Sequence, residues 1–113
     1  ERLARSLEGN VACLSLRVPE DLRFFDGHFD AAPVVPGVVL LGWAIASAAE
    51  AFGHAPALSG LEVLKFQQLV TPGAILQLRL EAGPVPGLVT FRYESALGSH
   101  ASGRLRFAVG GEA

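Results

Sequence analysis

The sequence has few of the residues on which disulfide, metal-thiolate and nucleic-acid chemistry depend. Cys13 is its only cysteine, so neither an intrachain disulfide nor a zinc site built from cysteines can form. Nine basic and eleven acidic side chains nearly balance. No basic cluster is present, and nucleic-acid binding is therefore not expected. Single-cysteine usage is typical of a reducing compartment, and we predict a cytoplasmic location.

What the sequence has in quantity is apolar side chains. Half of its 113 residues are hydrophobic and the mean hydropathy is +0.40, which indicates apolar surface buried against a second subunit or a lipid-like ligand. This length suits a single domain, predicted over residues 1–113. Residues 1–10 lack the apolar run of a secretory signal. The longest apolar stretch, residues 34–52, is interrupted by glycine, proline and glutamate and is short for a membrane span, so we expect a buried helix there.

Hydrophobic periodicity predicts a strand, one long helix and four further strands, in that order. Alternation begins at Val11 and predicts a strand that Pro19 ends. A helix is predicted over Pro36–Phe52, because proline suits a first turn and Gly53 suits the position after the last turn. Short turns join the later strands and indicate an antiparallel meander over residues 61–70, 75–82, 88–96 and 101–109. A sheet wrapped around the helix would bury it, which gives an α+β fold.

One stretch, GHFDAAPVVPGVV, resembles the signature of the β-hydroxyacyl-acyl-carrier-protein dehydratases. Their pattern is Gly-His-Phe-Pro, two variable residues, Pro, two more, and Pro-Gly-Val, which this chain matches at Gly27, His28, Phe29, Pro33, Pro36, Gly37 and Val38. Residues 64–82 are similar to the family's Lys-Phe strand and Pro-Gly turn, and residues 101–107 to its last strand. The resemblance covers almost the whole chain. It implies a hotdog fold, an antiparallel β-sheet wrapped around one long central α-helix.

The resemblance also implies a reaction, the dehydration of a β-hydroxyacyl thioester. The substrate would be carried on phosphopantetheine of an acyl carrier protein or on coenzyme A, with no other cofactor and no metal. His28 would remove the α-proton, since an imidazole titrates near neutral pH. The backbone N–H of Gly37, at the start of the helix, would bind the thioester carbonyl with help from the helix dipole. The pocket residues implied are Phe29, Pro36, Val38, Gly42 and Trp43.

Two positions depart from the family pattern. Asp30 stands where the signature has proline. Gly42 stands fourteen residues after the histidine, where the family has the Glu or Asp that protonates the leaving hydroxyl. Glycine has no proton to give. The candidates for a substitute acid are Asp26, Asp30, a water beside Gly42, and Glu50, which is roughly 12 Å farther along the helix.

Gly42 also belongs to a stripe of small residues, with Ala46 and Ala49, on one face of the predicted helix. Such a stripe lets a second helix or a wide acyl group approach closely. Together with Trp43, it is similar to the helix of the subgroup that acts in aryl polyene pigment synthesis, where the usual carboxylate position is altered as well.

Three functions stay open: a dehydratase, a non-catalytic acyl-binding hotdog subunit of a heterodimeric dehydratase, and an acyl-thioester hydrolase. Gly42 favours the second, and the hydrolase ranks last because many hotdog hydrolases need an acid on the central helix. The expected partners are an acyl carrier protein and a second hotdog chain, either identical or different. Arg104 and Arg106 are expected to be solvated or to contact an acidic carrier protein or the phosphopantetheine phosphate. His54 and His100 are predicted in solvated loops, too far apart to indicate a metal site.

Overall fold

The structure, a computed structural model, describes residues 2–19, 35, 37–55, 57–71 and 73–108. In these residues the chain forms six strands and one helix: β1 (Arg2–Glu8), β2 (Val11–Arg17), α1 (Gly37–Phe52), β3 (Leu58–Phe66), β4 (Ile75–Ala82), β5 (Leu88–Ser95) and β6 (Gly98–Phe107). Every strand pair is antiparallel, and the order across the sheet is β1-β2-β4-β5-β6-β3. The predicted α+β hotdog fold is confirmed.

The central strands bury every second side chain, as their alternation predicts. On β4, Leu76, Leu78 and Leu80 are fully buried, whereas the residues between them are exposed. The register aligns Leu78 with Tyr93 of β5, so the buried side chains form continuous rows across the sheet. Each buried leucine stabilises the fold by about 1.5–3 kcal/mol through transfer from water. These rows supply the apolar face on which α1 lies.

Helix α1 ends at the residue that the sequence predicts. Gly53 has a φ of +72°, the left-handed conformation that glycine adopts after a last helical turn. The helix begins at Gly37, while Pro36 lies outside the described residues. Its face toward the sheet buries the side chains of Leu40, Ala44, Ala48 and Ala49. In the part of the chain that the structure describes, no helix combines the length and hydropathy that a membrane crossing requires.

The opposite face of α1 is open in the single chain. Val38 is 74% exposed, and Gly42, Ala46 and Glu50, which follow at intervals of one turn, are exposed as well. The prediction that the whole helix surface is enclosed is therefore wrong for the single chain. The sheet covers only the side of the helix on which Leu40, Ala44, Ala48 and Ala49 are buried.

Two strand predictions are also wrong. β1 was not expected, because Arg5 interrupts the apolar alternation between Leu3 and Leu7. β3 covers Leu58–Phe66 instead of residues 61–70, and it pairs with β6 at the far edge of the sheet instead of continuing a meander into β4. The reason is the connection from β3 to β4, which is too long for a tight hairpin and lets the chain cross to another edge.

Candidate active site

The candidate site lies at the N-terminal end of α1. Five of the residues predicted for this site, including the signature histidine, lie outside the described residues. They are Asp26, His28, Phe29, Asp30 and Pro36. The others all lie on α1: Gly37, Val38, Gly42, Trp43 and Glu50. The described part of the site is therefore the helix start and the groups that hold it.

Gly37 is the first residue of α1 and lies against an aromatic ring. A Cβ at this position would stand 2.9 Å from both Cε1 and Cζ of Phe66, the last residue of β3. A side chain here would push the ring away, so glycine permits the contact. The first N–H groups of a helix have no acceptor within the helix, and the dipole makes this end favourable for negative charge. An enolate or thioester oxygen is the kind of ligand that such an N–H can stabilise.

The chain that enters α1 is fixed by a backbone hydrogen bond. The N–H of Val35 donates to the carbonyl of Val70 over 2.7 Å, and both side chains are buried. Val70 belongs to the connection between β3 and β4, and Phe66 directly precedes that connection. Both contacts at the helix start therefore come from one short stretch of chain.

A buried phenol ties the next turn of α1 to the middle of the sheet. The hydroxyl of Tyr93 donates to the carbonyl of Leu40 over 2.7 Å. Burial raises the pKa of the Tyr93 phenol above its usual range, because the phenolate would be unsolvated there. The group consequently stays a protonated donor over the physiological range. Phe91 packs its ring edge-on against Tyr93, with centroids 6.0 Å apart.

His100 is buried, with 2% of its surface exposed, so the prediction that it lies in a solvated loop is wrong. It lies on β6, which begins at Gly98 and not at residue 101. Its imidazole contacts the carbonyl of Leu69 and the hydroxyl of Ser95. The local sequence gives no signal of this burial, because the neighbours of His100 are glycine, serine and alanine and its cover comes from a distant segment. Phe66 did carry a signal, since it belongs to the Lys-Phe element of the family resemblance.

The position of the missing family acid faces open space. A Cβ at Gly42 would meet no described atom within 4 Å, so the helix there can accept a side chain without a clash. Trp43, the next residue, is partly buried and packs against the core. Gly42 itself lies on the exposed face of the helix.

Glu50 lies at the other end of α1. Its carboxylate is 3.9 Å from Arg5 of β1, and about half of the side chain is exposed. Eight residues separate it from Gly42, which corresponds to about 12 Å of helix. This geometry argues against Glu50 as the acid for chemistry at Gly37.

The two arginines considered for carrier binding are paired within the chain. Nε of Arg106 donates to Oε2 of Glu62 over 2.7 Å, and Arg104 lies 3.5 Å from the other carboxylate oxygen. The hydrogen bond from Arg106 lowers the pKa of Glu62 below its usual value. Their contact with a carrier stays a prediction. Within the described ranges, no three His, Cys, Asp or Glu side chains are grouped so as to hold a metal ion.

Residues 4–104 match the family model described as ApeI-like, ApeI dehydratase. The 3-hydroxyacyl-[acyl-carrier-protein] dehydratase FabZ of Moorella thermoacetica is 33% identical over 97 residues, which cover 77% of this chain and 68% of that protein. FabZ of Clostridium botulinum strain Loch Maree is 30% identical over 95 residues, which cover 78% of this chain and 66% of that protein. The chain thus spans about two thirds of the length of these curated relatives.

Solved structures extend the similarity. A chain of the dehydratase heterocomplex ApeI:P from Xenorhabdus doucetiae superposes with a TM-score of 0.87 at 26% identity, over 96% of this chain and 97% of that chain. An uncharacterized protein from Erwinia carotovora subsp. atroseptica gives 0.71 at 27% identity, over 96% and 92% of the two chains. The dehydratase domain of a mycocerosic acid synthase-like polyketide synthase, 20% identical with a TM-score of 0.70, shares the fold.

Proposed function

We propose that this chain, which belongs to the family of ApeI-like dehydratases, removes water from a β-hydroxyacyl thioester carried on an acyl carrier protein and leaves the trans-2-enoyl thioester. The observation that carries the proposal is the start of α1, where Gly37 is the first helical residue and the ring of Phe66 leaves no room for a side chain on it. The backbone N–H of Gly37 belongs to the stretch that matches the dehydratase signature. The signature and the helix start thus point to one reaction.

The proposed reaction has two stages. His28 removes the α-proton, and the electron pair of that C–H bond moves toward the thioester oxygen, which accepts a hydrogen bond from the Gly37 N–H. This electron pair then returns to form the Cα=Cβ double bond while the C–O bond at the β-carbon breaks, and the hydroxyl takes up a proton and leaves as water. The phosphopantetheine arm of the carrier holds the substrate, and the proposed reaction is a proton transfer and an elimination that change no oxidation state. The reaction is proposed to occur in the cytoplasm.

The family's proton donor for the leaving hydroxyl is missing from this chain, so another group must supply that proton. Asp26, Asp30 and a water held in the space before Gly42 are the candidates, and the location of Glu50 disfavours that residue. The variant Gly42→Glu tests whether the missing family acid limits the reaction. It introduces the family's residue type at a position where a Cβ meets no described atom within 4 Å. We expect this variant to fold normally and to turn over at least as fast as the natural chain.

A second hotdog subunit is the proposed partner, in addition to the carrier protein. The open stripe of α1, the exposed Val63 of β3 and the exposed Leu69 of the connection after β3 leave apolar surface on one chain. The similar protein from Xenorhabdus doucetiae is described as a heterocomplex, which supports a different chain as the partner. The non-catalytic subunit of such a pair is the second candidate function, and glycine at position 42 is the observation that favours it.

The experiment is intact-protein mass spectrometry of β-hydroxyacyl carrier proteins incubated with the chain. Short, long and aryl-bearing acyl groups are compared, and His28→Ala is run beside His54→Ala. The second variant is a matched control, because His54 follows the far end of α1 and stacks on Phe107. The proposal is supported if the acyl carrier protein loses the mass of one water with the natural chain and with His54→Ala, but not with His28→Ala.

Two other results would contradict the proposed dehydratase activity of this chain. Absence of water loss from every substrate by the chain alone, with activity recovered when a second hotdog chain is added, would support the non-catalytic subunit. Release of the whole acyl group would identify a thioester hydrolase and overturn the proposal.

A further inference from the structure

We propose that His100 is a positioning residue for the Gly37 amide: it fixes the chain segment that holds the start of α1. The inference rests on the proposed function for its catalytic consequence. Among the described residues, His100 is the only buried side chain of the Asp, Glu, Lys, Arg and His types. Such a group is retained in a small core only with hydrogen-bond partners, and its partners lead toward the candidate site.

The hydrogen bonds of the imidazole define one tautomer. Nδ1 lies 3.1 Å from the carbonyl oxygen of Leu69, which can only accept, so Nδ1 carries the proton. In the neutral ring Nε2 is then an acceptor, and it lies 2.6 Å from the hydroxyl of Ser95, which donates to it. Ser95 in turn accepts from the N–H of Leu97 over 3.0 Å. The ring is therefore satisfied on both sides and points its single donor at Leu69.

The backbone of His100 holds the same segment. Its carbonyl accepts from the N–H of Gln67 over 2.8 Å and from the N–H of Gln68 over 3.3 Å. The side-chain amide of Gln68 donates to the carbonyls of Leu97 and Ser99, each over 3.0 Å. Residues 67–69 form no strand or helix and have exposed side chains, so these bonds to β6 and its turn are what define their course.

This segment lies between the two contacts of the helix start. Phe66, whose ring lies against Gly37, directly precedes it, and Val70, whose carbonyl accepts from Val35, directly follows it. Loss of the imidazole donor would leave the Leu69 carbonyl without its partner, and a shift of the segment toward water would restore one. Such a shift moves Phe66 or Val70 and with them the Gly37 N–H. A displacement of about 1 Å at a catalytic donor lowers turnover on the order of a hundredfold.

Two amide substitutions separate the two bonds of the ring. In His100→Asn the side-chain NH₂ occupies nearly the place of Nδ1 and keeps the bond to Leu69. In His100→Gln the amide reaches the place of Nε2 and keeps the bond to Ser95, while the donor to Leu69 is lost. Both variants exchange an aromatic ring for an amide, so they are matched in polarity. Ser95→Ala is the control that removes the other partner only.

The experiment measures kcat and KM on carrier-bound substrate, thermal unfolding, and the hydrogen exchange of the Val35 and Gly37 amides by NMR. We expect His100→Gln to lower kcat on the order of ten- to a hundredfold with little change in KM, and to speed exchange of the Val35 amide. His100→Asn and Ser95→Ala should stay within a few-fold of the natural chain in kcat and match its Val35 exchange.

Several results would overturn the proposal. If His100→Gln loses activity only in proportion to its folded fraction, with Val35 exchange unchanged, the histidine is merely structural. If the Asn and Gln variants behave alike in Val35 exchange, the bond to Leu69 is not the link. If the natural chain dehydrates no substrate, the proposed function fails, and Val35 exchange in the two variants still decides the role of His100.

Discussion

The two ends of α1 are held in different ways. At the N-terminal end, Val35 donates to Val70 and Tyr93 donates to Leu40, each over 2.7 Å, and both bonds lie among buried side chains. A neutral hydrogen bond in such surroundings depends on accurate geometry. When it is broken, a buried polar group is left without a partner, which costs stability. These two hydrogen bonds therefore define the position of the N-terminal end of the helix relative to the sheet and to residue 70.

The C-terminal end is held by weaker, more exposed contacts. Glu50 and Arg5 are 3.9 Å apart on the surface, and the ring of His54 stacks on Phe107 with centroids 5.0 Å apart. The N–H of His54 donates to Ala49 over 2.9 Å, which closes the last turn around Gly53. These contacts end the helix, but an exposed ion pair at this distance contributes little to its placement.

The difference fits a site that needs accurate geometry at one end only. A backbone N–H that stabilises developing charge must stand at a defined place, whereas the far end of the helix needs only to be ordered. The comparison predicts that changes at the N-terminal end alter activity, and that changes at the C-terminal end alter stability alone or nothing.

Glycine substitutions at the two ends should give the largest contrast. Gly37→Ala places a methyl group 2.9 Å from the Phe66 ring, which must move, and we expect kcat to fall on the order of ten- to a hundredfold. Its unfolding free energy should change by less than about 1 kcal/mol, because alanine favours the helix and the ring is half exposed.

Gly53→Ala should do the reverse. Alanine at a φ of +72° costs roughly 1–2 kcal/mol of stability, with kcat unchanged. Urea unfolding and steady-state kinetics of both variants make the measurement. Equal loss of activity in the two would remove the distinction between the ends.

Tyr93→Phe tests the buried bond to α1. It removes the hydroxyl that donates to Leu40 and should lower the unfolding free energy by about 1 kcal/mol. The Leu40 carbonyl keeps its place in the helix, so the loss should stay near that of one neutral hydrogen bond. Urea unfolding of the variant measures it, and an unchanged midpoint would show that the bond does not restrain the helix.

Alkaline pH should lower the stability of the fold through the same tyrosine. The folded-state pKa of Tyr93 is raised above the value in the unfolded chain, so the folded state holds its proton more tightly. The stability from this group is complete below the unfolded pKa of about 10 and is lost as the pH rises above it. Tyr93 is the only tyrosine, so tyrosinate absorbance reports it alone. Tyr93→Phe should show a shallower alkaline decline, and parallel curves would contradict the assignment.

The sequence predicts the regular parts of this molecule better than the connections. Strand β4 has the predicted bounds, and α1 ends at the predicted residue, because strict alternation and a terminal glycine are local signals. The course of β3 and the burial of His100 were predicted wrongly. Both depend on contacts of β3 and of the connection after it with β6, and no local sequence pattern predicts contacts between these distant segments.

The candidate site divides in the same way. The family signature predicts the amide-donor role for Gly37, because a one-dimensional motif can indicate such a role, and this role stays a prediction for Gly37. The ring of Phe66 against it and the bond from Val35 to Val70 are contacts between distant parts of the chain. They become visible only when the fold brings β3 and its connection to the helix start.

Glu50→Gln should have the smallest effect and tests the comparison from the other side. The variant removes one charge from the pair with Arg5, which is half exposed, so the unfolding free energy should change by less than about 0.5 kcal/mol. Because this carboxylate is about 20 Å of helix away from Gly37, kcat should be unchanged. Asp30→Asn is the companion variant, since a loss of kcat there alone would assign the acid to the signature. A large loss in Glu50→Gln would mean that the C-terminal end of α1 takes part in the chemistry, and that tight fixing of a helix end does not mark the active end.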